Sequence, residues 1–169
     1  MVFSVFIIIS AIYIVSVGEN DTKIYNSIVA NSFYGDEDFD FYIEKFYRDI
    51  EYYGLFPKKP LNTIIKFSNL DKIDNATHYH GLSFGSNNDD IVEIYINENT
   101  WKKFNKPMRY FLIYHELAHD ILNLEDLDPL PKNKGDLMYP NISSYENITM
   151  DDFIESFHRT FEKVSNNTY

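Results

Sequence analysis

Apolar residues recur at helical spacing in three stretches of the chain. Residues 38–53 carry apolar and aromatic side chains at this spacing, and Gly54 follows as a C-terminal stop. A second stretch, residues 105–123, begins with Asn105 as a candidate N-cap and is apolar over most of its surface. A third stretch, residues 151–164, predicts a closing helix.

Short β-prone runs lie between the first and second predicted helices. They span residues 62–67, 79–84 and 91–96, and turns rich in Gly, Asn and Asp separate them. This order predicts an α+β domain with a small mixed sheet. His78 and His80 would alternate on one face of the second strand, either as a second metal site or as ordinary surface histidines.

The first residues of the chain form a separate apolar segment. Residues 2–17 are almost wholly apolar, and the sequence becomes polar at Gly18-Glu19-Asn20-Asp21. We expect residues 1–18 to be a cleaved signal peptide; the alternatives are an uncleaved N-terminal anchor or a buried element of the fold. Residues 19–169 are then one domain, secreted or extracytoplasmic, or held at a membrane if the segment is not cleaved.

The charge of the chain limits its partners. The formal net charge is −11 at pH 7, which argues against nucleic acids and anionic membrane surfaces, because binding there relies on Lys and Arg. There is no cysteine, so disulfides and thiolate metal ligands are excluded. We expect a monomer.

The most specific pattern is His115-Glu116-Leu117-Ala118-His119, on the second predicted helix. Residues four apart lie on one helix face, so both imidazoles can reach a single metal ion, with Glu116 at its edge. This is the H-E-x-x-H arrangement of zinc peptidases, in which the glutamate is the general base. Two buried histidines that happen to be four residues apart are the ordinary alternative.

A zinc site of this kind needs a third protein ligand. The residues after the helix offer Glu125, Asp126 and Asp128, ten, eleven and thirteen positions after His115. A glutamate on a downstream helix is a further alternative, with Glu155 favoured over Glu146. Spacing alone leaves this choice open.

The segment from Trp101 to Pro140 resembles small bacterial and phage-type zinc metallopeptidases of the zincin-like, metzincin-related class. The resemblance rests on His115-Glu116-Leu117-Ala118-His119-Asp120 and on the turn Gly135-Asp136-Leu137-Met138-Tyr139-Pro140. A matching order of elements extends over residues 39–140. Many members of the class carry His where this chain has Asp126.

The resemblance implies a fold and roles for single residues. The fold would be a zincin-like domain with an N-terminal helix, a small mixed sheet, the active-site helix, a Met-turn and a C-terminal helix. Met138 would be the Met-turn methionine, Asp126 the third ligand, and Tyr139 a donor to the oxyanion. The strand of residues 91–96 would either form the rim of the cleft and pair with an extended substrate or be an ordinary strand of the sheet.

We therefore expect a zinc-dependent endopeptidase that acts on peptides or proteins. Glu116 would take a proton from a zinc-activated water and pass it to the leaving amine. The alternative is a non-catalytic zincin-like secreted protein that binds zinc or a partner. The presence of Glu116 argues against that alternative, because a structural zinc site has no need of a base.

Overall fold

The computed structural model describes residues 7–8, 11–12, 19–84, 90–141 and 148–166. Within these residues the helices are α1 (Glu19–Ala30), α2 (Phe39–Tyr52), α3 (Glu98–Lys103), α4 (Lys106–Leu122) and α5 (Met150–Ser165). The strands are β1 (Ile7–Ile8), β2 (Ala11–Ile12), β3 (Ser32–Phe33), β4 (Asn62–Ser68), β5 (Gly81–Phe84) and β6 (Ile91–Asn97). The expected α+β class with a small mixed sheet is confirmed.

The main sheet has four strands in the order β3-β4-β6-β5. Strands β4 and β6 are parallel, with Asn62 opposite Ile91, whereas β3 and β5 are antiparallel to their neighbours. Strand β6 is hydrogen-bonded on both sides, so of the two roles expected for residues 91–96 the ordinary sheet strand is confirmed and the cleft rim is wrong. A substrate strand cannot pair with a strand whose two edges are already used. Strand β5 takes the edge position instead.

The two faces of the sheet bury different helices. One face presents Ile65, Ile94 and Ile96 to the core shared with α2, α4 and α5. The opposite face presents Leu82 and Tyr95 to a second cluster that contains Ile28 of α1. Period-two alternation along β4, β5 and β6 explains this division. Each large side chain fully buried in this way stabilises the fold by about 1.5–3 kcal/mol.

Helix α4 begins with the N-cap that its sequence predicts and ends at a C-cap that it does not. The Asn105 side chain accepts a hydrogen bond from the backbone N–H of Met108 at 2.9 Å, and Pro107 lies in the first turn. At the other end Asn123 adopts the left-handed conformation, with φ of 51°, and its N–H bonds to the Ala118 carbonyl. The chain therefore turns back sharply just after the motif histidines.

The other predicted helices are also confirmed. Asp38 caps α2, and Gly54 follows its end with φ of 74°, a conformation that favours glycine. Thr149 and Asp152 form a capping box at the start of α5.

Other features differ from the sequence prediction. The local patterns did not predict α1, β3 or α3. The strand expected over residues 79–84 begins at Gly81, so His78 and His80 lie in the turn before it.

The N-terminal segment is described only at β1 and β2, which pair with each other in antiparallel fashion, and β2 lies beside β5. The rest of the expected signal peptide or anchor lies outside the described residues. No helix in the described part of the chain is long and apolar enough to cross a membrane.

Candidate metal centre

Three potential metal ligands meet at the end of α4. The Nε2 atoms of His115 and His119 lie 3.1 Å apart. Asp126, in the loop that follows the helix, places Oδ1 3.4 Å from His115 Nε2 and 3.7 Å from His119 Nε2. Among the residues that the structure describes, the donor atoms of these three side chains lie close enough together to bind one metal ion.

Backbone carbonyls fix which nitrogen of each imidazole carries the hydrogen and which presents a lone pair. His115 Nδ1 lies 2.8 Å from the Leu137 carbonyl oxygen, and His119 Nδ1 lies 2.7 Å from that of Leu124. A carbonyl oxygen can only accept, so both Nδ1 atoms carry the hydrogen and donate it. The lone pair of each Nε2 then faces the other histidine and Asp126, as metal ligation requires.

Burial keeps both imidazoles neutral. It lowers the pKa of His115 to about 4, although the Leu137 carbonyl and the charge of Asp136 partly oppose the shift. Burial also lowers the pKa of His119 to about 4, with a further contribution from His115 and opposition from Asp126. A neutral imidazole is the form that binds a metal.

The spacing of the three donor atoms fits a tetrahedral ion. Zinc ligands at 2.0–2.1 Å in tetrahedral geometry are separated by about 3.3 Å from one another. Asp126 Oδ1 is buried without a hydrogen bond, and burial raises the pKa of its carboxyl to about 6. A buried acceptor of this kind normally has a partner, and a cation held by the three side chains would supply it.

The competing third ligands are placed elsewhere. Glu125 and Asp128 are exposed, in contrast to Asp126, whose side chain is 7% exposed. Glu155 is 73% exposed and pairs with Arg159 at 3.1 Å on the surface of α5. Glu146 lies outside the described residues. Burial and distance therefore favour Asp126.

The other candidate histidines do not join a metal group within the described residues. His78 is exposed and contacts the Thr77 hydroxyl. His80 lies 3.2 Å from the Thr100 hydroxyl and packs against Phe104. The expectation that they share one strand face is wrong, because the strand begins after them.

Glu116 directly follows His115 on α4, interacts electrostatically with Asp126 and is completely buried. Neither of its carboxylate oxygens has a hydrogen-bond partner among the described residues. Burial raises the pKa of Glu116 well above its ordinary value, and the charges of Asp120 and Asp126 add to the effect. The group therefore holds a proton more strongly than an exposed glutamate does.

The loop that carries Asp126 is tied to the turn that contains Met138. The backbone N–H of Leu127 donates to the Met138 carbonyl at 2.9 Å. Met138 itself is buried in the main core, and Tyr139 is half-buried. The role of Tyr139 at an oxyanion stays a prediction.

Three residues near the site have no role predicted from the sequence. Gly81 approaches Glu116 from β5, and Asp120 lies one helical turn after it on α4. Asp136 is a buried carboxylate in the turn before Met138. Asp120 directly follows the H-E-x-x-H motif, so the local sequence could have indicated it. Gly81 and Asp136 reach the site through contacts between segments that are distant in the sequence.

No protein-family model, curated protein or solved structure matches this chain.

Proposed function

We propose that the chain is a zinc-dependent peptidase of the zincin-like class. The observation that supports this most directly is the convergence of His115 Nε2, His119 Nε2 and Asp126 Oδ1 within 3.7 Å of one another, beside the buried Glu116. Two imidazoles and one carboxylate are an established donor set for catalytic zinc, which keeps its fourth position open.

The three side chains would hold the ion, and each has a support of its own. Carbonyl oxygens orient both histidines, while the bond from Leu127 to Met138 holds the loop of Asp126. A bound zinc ion would supply a Lewis acid that polarises the scissile carbonyl and acidifies water.

Glu116 would move the proton in this reaction. It follows His115 directly on α4, and its carboxylate oxygens are free of other hydrogen bonds within the described chain. It would accept a proton from the attacking water and return it to the leaving amine. A structural zinc site would have no use for a buried, unbonded carboxylate in this position.

Strand β5 is the candidate surface for an extended peptide. It is the edge strand of the four-stranded sheet, and Gly81 brings its backbone against Glu116. Strand β2 lies beside β5 and belongs to the segment whose cleavage we expect, so that cleavage would expose this edge. An extended chain that adds to a sheet edge gains main-chain hydrogen bonds without depending on its sequence. The scissile bond would then lie next to the base.

The test uses the purified full chain and the Glu116→Gln variant as its matched control. We expect about one zinc per chain in both proteins by elemental analysis, and cleavage of a mixed peptide library by the unaltered protein alone. Absence of zinc from the unaltered protein after incubation with the metal would refute the proposal. Stoichiometric zinc without any cleavage would instead support the non-catalytic alternative.

A further inference from the structure

Asp136 is a buried carboxylate whose two oxygens are both engaged. It is 1% exposed and lies in the turn between the loop that carries Asp126 and helix α5. Oδ2 accepts a bond from Lys163 Nζ at 2.6 Å, while Oδ1 accepts from the Thr160 hydroxyl at 2.8 Å and from the Met138 N–H at 3.2 Å. Burying such a charge is costly, and an ion pair rarely repays the cost in stability.

The bond to Met138 connects this carboxylate to a metal ligand. The N–H of Met138 and the carbonyl of Leu137 belong to one peptide group, and in a trans peptide they point in opposite directions. Asp136 holds the N–H end, and the carbonyl end accepts the hydrogen of His115 Nδ1 at 2.8 Å. Fixing one end of a rigid plane therefore fixes the direction of the other.

Helix α5 anchors this arrangement from a distant part of the chain. Thr160 and Lys163 hold Asp136, and Thr160 Oγ1 also accepts the N–H of Leu137 at 3.3 Å. Both peptide groups on either side of Leu137 are thus restrained. The carbonyl that faces His115 cannot rotate without breaking these bonds.

We propose that Asp136, held by Thr160 and Lys163, is a positioning residue that sets the tautomer and orientation of His115 through the Leu137–Met138 peptide. The proposal rests on the proposed zinc site for its functional meaning. Removing a hydrogen-bonding group that supports a metal-ligating histidine typically weakens metal binding by about 10- to 100-fold.

The test compares Asp136→Ala with Asp49→Ala in the full chain. Asp49 is a matched control, because its carboxylate also accepts from a lysine, Lys45 at 2.6 Å, and a hydroxyl, Tyr114 at 2.6 Å, without a link to the Leu137 peptide. Zinc affinity is measured by competition with a chromophoric chelator. The tautomer of His115 is measured in metal-free protein by nitrogen NMR of the imidazole ring.

We expect Asp136→Ala to bind zinc about 10- to 100-fold more weakly and to lose the pure Nδ1–H form of His115. Asp49→Ala should keep both properties, even if it unfolds at a lower temperature. Asp136→Asn should restore much of both, because its side-chain oxygen can still accept from Met138. If Asp136→Ala does not fold, Thr160→Val replaces it, with a change in the same direction.

The proposal is overturned if the Asp136→Ala or Thr160→Val protein keeps the Nδ1–H form of His115, or if its zinc affinity stays within twofold of the Asp49→Ala value. Failure of the zinc proposal is distinguishable from this result. If the unaltered protein binds no zinc, the proposed function fails, while the NMR comparison in metal-free protein still decides the positioning of His115.

Discussion

Gly81 leaves open the space that the Glu116 carboxylate fills. A Cβ atom added at Gly81 would fall 2.7 Å from Glu116 Oε1 and 3.2 Å from a methyl carbon of Leu112. Both neighbours are buried in the core beneath β5, so they have little room to move. The edge strand and the candidate base therefore constrain each other.

This contact predicts the effect of Gly81→Ala. The methyl group should turn the Glu116 carboxylate away while zinc stays bound. Peptide hydrolysis should fall by at least about tenfold, because misplacing a catalytic group by about 1 Å can lower the rate by about a hundredfold. Gly54→Ala is the control. Its positive φ of 74° makes the substitution strained, yet nothing lies near the added atom. It should cost about 1–2 kcal/mol of stability and leave turnover unchanged.

The motif histidines should be indispensable for metal binding. We expect His115→Ala or His119→Ala to remove zinc and activity together, since each replacement leaves only two of the three donors. His78→Ala serves as the control, because His78 is exposed outside the group. Elemental analysis after dialysis measures the outcome, and full zinc retention in either motif variant would contradict the assignment.

The third ligand can be separated from its acidic neighbours. Asp126→Ala should release zinc under mild chelation, because it removes the donor oxygen that lies 3.4 Å from His115 Nε2. The Glu125→Ala and Asp128→Ala proteins lose only exposed carboxylates, so they should keep the metal bound. Titration with a chelator gives the three affinities. An Asp126→Ala protein that retains stoichiometric zinc and hydrolysis would turn attention to Glu125 or Glu155.

The stability of the metal-free protein should depend on pH through Asp120. Burial raises the pKa of Asp120 from 3.8 to about 7, and a nearby Ser83 hydroxyl partly opposes this. The folded state therefore binds this proton more tightly than the unfolded state, so the contribution of Asp120 to stability falls as pH rises from about 4 to about 7.

Asp120→Asn should remove this contribution, while those of Glu116 and Asp126, whose pKa values burial also raises, remain. As the pH rises over this range, the free energy of unfolding of the variant should exceed that of the unaltered protein by a growing amount. The difference should approach about 4 kcal/mol, at about 1.4 kcal/mol per pH unit. Urea unfolding in excess chelator at several pH values measures it. A difference that stays constant with pH would contradict the raised pKa.

The apolar segment before α1 predicts processing of the chain. The change from apolar to polar residues predicts that the mature protein begins between Val17 and Asp21, close to the start of α1 at Glu19. N-terminal sequencing of protein recovered outside the producing cells checks this. Retention of Met1 would favour an uncleaved anchor instead.

Local patterns predicted the parts of the molecule that local physics controls. The Asn105 cap and the four-residue spacing of the motif histidines are contained within one helix, and the structure has both. By contrast, Gly81 meets Glu116 through strand pairing, and Asp136 meets Lys163 across 27 positions of sequence. Periodicity carries no information about such pairs. For the same reason, the sequence leaves open whether residues 91–96 form a cleft rim or an ordinary strand, while the strand pairing puts β5 at the edge.

The three candidate metal donors lie within the twelve consecutive residues 115–126. The bond from His119 to the Leu124 carbonyl spans five residues, and the left-handed Asn123 makes the turn that brings Asp126 back. Closing so short a loop costs little chain entropy. The donor triad can therefore form early, once α4 and its turn exist, before the distant strand pairings. An ion captured at that stage would act as a folding nucleus for the rest of the domain.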